Sequence, residues 1–140
     1  GLRYKNFDVS MQINGAFGHK IYNATALTYM NVGSLPFYNV MQDAPARNIY
    51  DQTATDYWLE KGDYIHVAYL NFGWIVPLKP SSYIRNLRLS FSINNLLTLT
   101  GYSGLTPMIN SSIVGPTLGT DDKRSYPLYR SYALGVSIQF

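Results

Sequence analysis

The stretch from Arg130 to Phe140, RSYALGVSIQF, decides the fold. Tyr132, Leu134, Val136, Ile138 and Phe140 take alternate positions, and Ser131, Ala133, Gly135, Ser137 and Gln139 fill those between. Side chains on a strand change face at every residue, so this segment predicts a strand with one apolar face and one small or polar face. Which face meets water is the question on which the reading turns.

Working outward, the same alternation recurs upstream. Phe7, Val9, Met11, Ile13 and Phe17 alternate with Asp8, Ser10, Gln12 and Asn14, and Gly15 is placed where a strand glycine marks a bend or bulge. In DYIHVAYLNFGWIVP (63–77), Leu70, Phe72, Trp74 and Val76 stand together against Asn71 and Gly73, and Pro77, which has no N–H to give a ladder, ends the strand. In NLRLSFSINNLLTLT (86–100), Leu87, Leu89, Phe91 and Ile93 alternate with Arg88, Ser90, Ser92 and Asn94. Strands are therefore expected over residues 3–18, 64–76, 85–99 and 128–140. About 10 residues each matches a tilted strand crossing a bilayer.

The composition fits that setting. Of 140 residues, 46% are hydrophobic and 14% charged, against roughly 25% charged in an ordinary soluble domain. Thirteen tyrosines push the same way, since Tyr and Trp favour places where one end of the ring is apolar and the other wet. No run of apolar residues is long enough for a transmembrane helix. The net charge of +3 comes from 11 scattered basic residues, without the basic run a nucleic-acid partner needs. There is no cysteine, hence no disulfide or thiol chemistry. The sequence opens on GLRYKNFDVS, with neither an initiator Met nor a signal peptide, so processing or truncation is expected to have removed what preceded it.

The connections are ordered by length. Those after the first and third strands are long, whereas only KPSSYIRN (79–86) joins the second to the third. With strands alternating in direction, both long connections fall on one side, the pattern of outer-membrane barrels with short periplasmic turns and long extracellular loops. The first connection is rich in aromatics and holds a candidate helix, ATALTYMNV (24–32), so packed loops over a lumen mouth are expected.

Periodicity by itself leaves two readings open: a soluble sandwich with the apolar faces inward, or a barrel wall with Leu70, Phe72, Trp74, Val76, Leu87, Leu89, Phe91 and Ile93 facing lipid. The aromatics near strand ends, the loop asymmetry and the scarcity of Lys and Glu on the polar faces favour the second. Each open edge of such a sheet would leave on the order of ten backbone groups unpaired in hydrocarbon, at several kcal/mol apiece. Closure by further strands is obligatory. The chain is then a piece of a larger barrel or a protomer that pools strands, as in an oligomeric adhesin anchor.

YKNFDVSMQINGAFGHKIYN (4–23), TATDYWLEKGDYIHVAYLNFGWIVP (53–77), IRNLRLSFSINNLLTLTGYSGLTP (84–107) and SYPLYRSYALGVSIQF (125–140) resemble, in order, the last four strands of the SusC/RagA-like TonB-dependent outer-membrane transporters of Bacteroidetes. The resemblance spans nearly the whole chain except the middle of the first loop and MINSSIVGPTLGTDDKR (108–124). It implies an all-β fold: the C-terminal four antiparallel strands of a transmembrane barrel of about 22 strands, with the N-terminal plug absent from residues 1–140. It also implies nutrient import of an oligosaccharide or peptide. The implied partners are a SusD-like surface lipoprotein, TonB acting through the missing N-terminal part, the remaining barrel strands and outer-membrane lipid. Tyr132, Leu134, Val136, Ile138 and Phe140 look like the signal read by the outer-membrane assembly machinery. Two departures stand out: His66 and Ala68 replace the family's pair of basic residues, and Leu105, Thr106, Pro107 and Met108 replace its Asp-Pro-Glu run.

The remaining candidates carry little chemistry. Asp121 and Asp122 are adjacent acids in ordinary turn composition. His19 and His66 lack metal-ligand spacing, so no metal or cofactor is assigned. No nucleophile, base and acid can be assembled, and enzyme activity is not expected. Asn23-Ala24-Thr25 and Asn110-Ser111-Ser112 match glycosylation acceptors by chance in a bacterial setting. Tyr50, Asp51, Tyr57 and Trp58 in the first loop are the candidates for contact with a ligand or the lipoprotein, because flat aromatics beside polar groups suit saccharides and interfaces.

Overall fold

The computed structural model describes residues 1–79, 83–109, 119–122 and 126–140. Its elements are β1 (Leu2–Tyr4), β2 (Phe7–Ala16), β3 (Lys20–Asn23), α1 (Ala24–Tyr29), α2 (Ala44–Arg47), β4 (Leu59–Lys61), β5 (Tyr64–Val76), β6 (Asn86–Thr100), β7 (Thr120–Asp121) and β8 (Ser131–Gln139), with 3-10 turns at Val32–Ser34 and Asp56–Trp58. Length alone predicts one domain, yet the chain forms two compact units. One comprises Gly1–Gly15, Ile65–Leu99 and Leu128–Phe140, and the other Ala16–Tyr64 and Thr100–Pro127.

The first unit is a sheet in the order β1-β2-β5-β6-β8. Directly opposed residues of an antiparallel pair share a face, so the register sorts the side chains. Leu87, Leu89, Phe91 and Ile93 oppose Ile138, Val136, Leu134 and Tyr132, while Arg88, Ser90, Ser92 and Asn94 oppose Ser137, Gly135, Ala133 and Ser131. The two alternations interlock in phase. Phe91 and Tyr132, diagonal neighbours on the apolar face, stack at 6.4 Å. Phe7 likewise stacks on Trp74 at 5.9 Å, so the start of β2 meets the end of β5, as antiparallel neighbours require.

Among the described residues much of the apolar face is open, while Leu87, Leu89, Phe91 and Ile93 are half-buried. Phe7, Met11, Ile13, Phe72, Trp74, Leu134 and Val136 all stay exposed, Leu134 to 84%. A soluble sandwich would bury this row against a second sheet. Along β5 the exposed set changes parity: Ile65 and Tyr69 are exposed and His66 buried, then Phe72 and Trp74 are exposed and Gly73 buried. Leu70 sits half-buried at that change. In β6 the ladder with β8 ends at Asn94 opposite Ser131, and the next residue, Asn95, has φ 51°. Asn tolerates this left-handed conformation, and its Nδ2 donates to the Tyr129 carbonyl at 3.0 Å.

The stretch 3–18, expected as a single strand, divides. Tyr4 opposes Phe7, leaving Lys5 and Asn6 as a two-residue turn with Lys5 at φ 51°. β2 then runs straight through Gly15, and the left-handed glycine is Gly18 at φ 79°. The closing strand begins at Ser131 rather than near 128.

In the second unit β4 and β7 flank β3. β3 pairs antiparallel with β4 and parallel with β7, placing Tyr22 opposite Thr120 and Asn23 opposite Asp121. The helix expected over 24–32 is α1 alone. Asn23 caps it, its Oδ1 accepting from Ala26 N–H at 2.8 Å. Asn31 starts the following 3-10 turn by accepting from Gly33 N–H.

Candidate functional site

The first-loop candidates are held by the backbone of the second unit. Val32 N–H donates to the Ile49 carbonyl at 2.8 Å, and Gln52 Nε2 reaches Ser34 Oγ at 2.7 Å. Gly33 is required at this crossing, because a Cβ there would collide with the Tyr50 carbonyl. α2 carries Arg47 in its last turn and ends on Asn48 in the left-handed conformation, which turns the chain into the segment from Ile49 onward.

These constraints shape a groove of about 400 Å³ lined by Arg47, Ile49, Asp51, Thr53, Thr55, Tyr57 and Trp58. Three of the four predicted residues come together in it; Tyr50 is not part of its lining. Trp58 is buried, so it supports the groove rather than offering a free ring face. Tyr57 packs edge-on against it at 4.9 Å and is itself exposed. Arg47 donates to the Tyr57 hydroxyl at 3.2 Å, and Thr53 donates to Asp51 at 2.7 Å. One guanidinium, one carboxylate, two threonine hydroxyls and an exposed phenol give donors and acceptors beside a flat apolar surface, chemistry that suits a sugar or a peptide backbone.

Beside it lies a polar network whose members are far apart in sequence. Ser103 binds Glu60 twice, through Oγ at 2.7 Å and N–H at 2.9 Å, and Asn23 Nδ2 donates to Glu60 at 2.9 Å. Burial alone would push the Glu60 carboxyl up; the donors from Ser103 and Asn23, with the Arg47 charge, outweigh it and hold the group below its ordinary 4.5. Tyr102 donates to Asp121 at 2.8 Å, and Thr25 donates to the same carboxylate at 3.1 Å. Burial first, then the Asp121 carboxylate, keeps the Tyr102 phenol well above the ordinary tyrosine range.

Sequence reasoning missed this network. Asp121 sits in turn-like sequence yet is 1% exposed. Asn23, matching a glycosylation acceptor, is a buried cap; Asn110, Ser111 and Ser112 lie outside the described residues. His66 is buried in β5 with Nδ1 at 2.9 Å from Thr98 Oγ1. Among the described residues no cluster of His, Cys, Asp and Glu is suited to a metal ion.

No protein-family model matches the sequence. A TonB-dependent receptor P3 of Formosa agariphila is 28% identical over 155 aligned residues, covering 99% of this chain. Nearly the whole chain is thus similar to one stretch of a TonB-dependent receptor. It spans 15% of that receptor's length. Solved structures of the RagAB peptide importer show the same fold: the closed-closed state matches 98% of the chain with TM-score 0.74 and 18% identity, and the open-open state with TM-score 0.71 and 17% identity. Each match covers 16% of the importer chain. The sheet matches a stretch of antiparallel β-barrel wall in those structures, and the likeness assigns the chain to the bacterial outer membrane.

Proposed function

We propose that this chain forms the C-terminal section of the barrel wall of a SusC/RagA-like importer that carries an oligosaccharide or peptide across the outer membrane. The observation that carries the reading is the in-phase register of β6 and β8, which gathers two apolar rows on one uncovered face and the small polar rows on the other. In this reading Leu70, Phe72, Trp74, Val76, Leu87, Leu89, Phe91 and Ile93 meet lipid. The row Tyr132, Leu134, Val136, Ile138 and Phe140 serves as the assembly signal. The open edges at β1 and β8 are completed by other strands of the same barrel.

The groove at Arg47, Asp51 and Tyr57 is the contact point for cargo or for a SusD-like lipoprotein. Energy comes from TonB acting on a part of the transporter beyond these residues. The chain works by transport, with no catalytic step. A peptide cargo is supported by the fold shared with a peptide importer.

The test is made on the intact transporter in its own membrane. A folded, heat-modifiable band that needs detergent, a copurifying lipoprotein, and loss of growth on one oligosaccharide or peptide when the gene is deleted are expected. A polypeptide that stays monodisperse in aqueous buffer without detergent overturns the proposal.

A further inference from the structure

The apolar face of the sheet is not uniform. Phe7, Phe72, Trp74, Leu89, Phe91 and Leu134 frame a groove of about 420 Å³, an almost wholly hydrocarbon channel between the Phe7 and Trp74 stack and the ridge of β6 and β8. One end of the same sheet is cationic. β2 begins, β5 ends and β6 begins there, and Lys5, Lys79 and Arg85 at those points are all exposed. Arg85 stands just before Asn86 at the head of β6, and its N–H donates at 2.7 Å to the carbonyl of Gln139, the residue that opposes Asn86. The single acidic side chain of this unit is Asp8, already paired with Arg88 at 2.8 Å. No further acidic side chain of this unit offsets Lys5, Lys79 and Arg85.

Resting on the barrel-wall reading above, the geometry points to a specific site for an anionic phospholipid, its acyl chain in the groove and its phosphate against Arg85 and Lys79. Leu89 lies four positions beyond Arg85, about 13 Å along a strand, so the headgroup and the upper acyl chain of one lipid bridge the two features. Tyr4 and Tyr83, exposed at the same end, suit the polar–apolar boundary where a headgroup sits. Lys5 stands over the Tyr4 ring at 5.4 Å, adding a third positive charge at that boundary. A zwitterionic lipid fills the groove equally well but gains nothing from this end, so the distinguishing property is headgroup charge.

The experiment uses the full-length transporter in a neutral detergent, titrated with dioleoyl phosphatidylglycerol or dioleoyl phosphatidylcholine while the unfolding midpoint is followed. A larger rise with phosphatidylglycerol is expected, with that excess falling by at least half in the double variant K79Q/R85Q and unchanged in Arg130→Gln at the opposite end. Equal rises with both lipids, or an excess that survives K79Q/R85Q, overturn the site while leaving the barrel reading intact. An excess lost equally in Arg130→Gln overturns it too, since net charge then explains the effect. Absence of any lipid response in a protein soluble without detergent overturns the barrel reading itself.

Discussion

Arg88 on β6 reaches across β5 to Asp8 on β2, Nη2 to Oδ2 2.8 Å, and passes over Gly73, whose missing Cβ leaves room for the pair. A methyl group at Gly73 would run into both side chains. Three strands are thereby tied on the polar face by one ion pair and one glycine.

Gly73→Ala is expected to break the pair much as Arg88→Ala does, so the two changes should be non-additive. The pair is substantially exposed, with side-chain accessibilities of 43% and 27%, and its coupling is therefore expected at no more than about 1 kcal/mol. A double-mutant cycle on the unfolding of the reconstituted protein checks this; full additivity of Gly73→Ala and Arg88→Ala would show that the glycine serves something else.

Leu89 and Ser90 are neighbours on β6 whose opposite partners, Val136 and Gly135, lie on opposite faces. Under the proposed facing, Leu89→Arg should cost about 2–4 kcal/mol near the bilayer midplane and Ser90→Arg markedly less. Folding titrations into lipid vesicles measure both. Equal costs would reject the facing.

Tyr102→Phe removes the hydroxyl that donates to the buried Asp121 carboxylate. Hydrogen bonds to charged groups are worth about 1.5–3 kcal/mol, and that loss should appear as faster proteolysis or hydrogen exchange within residues 100–109 and 119–122. With the Tyr102 pKa raised, the stabilisation is fully present below the ordinary tyrosine value of 10.0 and is lost only as pH climbs through the folded value. A wild-type protein that loosens here at pH 8 would contradict this.

Glu60 has the opposite sign. Its pKa is lowered, so its contribution is present above the ordinary 4.5 and fades as pH falls through the folded value. Protection of Ser103 N–H against hydrogen exchange, taken relative to the intrinsic rate at each pH, should fall on acidification through the folded value. In Glu60→Gln the exchange should be faster at neutral pH and lose this acid dependence; an unchanged acid response would assign it to another group.

What could be read from the chain in advance was what repeats locally. A period of two is visible inside each strand, and β6 and β8 pair in phase because each alternation constrains the other. The β1 to β2 hairpin escaped notice because its turn is Lys5-Asn6, without the glycine that usually signals one. Asn23, Glu60, Ser103 and Asp121 share no spacing, and Asn23 meets Ser103 across 80 residues. Only folding brings them together. Residue type alone singles out Asp51, Tyr57 and Trp58, which line one groove, whereas Arg47 joins that lining only because α2 ends on a left-handed Asn48.

The parallel pairing of β3 with β7, Tyr22 opposite Thr120 and Asn23 opposite Asp121, makes the two long connections one mechanical body. Grafting the first connection from a related protein without the second would sever the ladder and strip Asp121 of Thr25. Chimeras that exchange these connections therefore have to transplant both as a matched set.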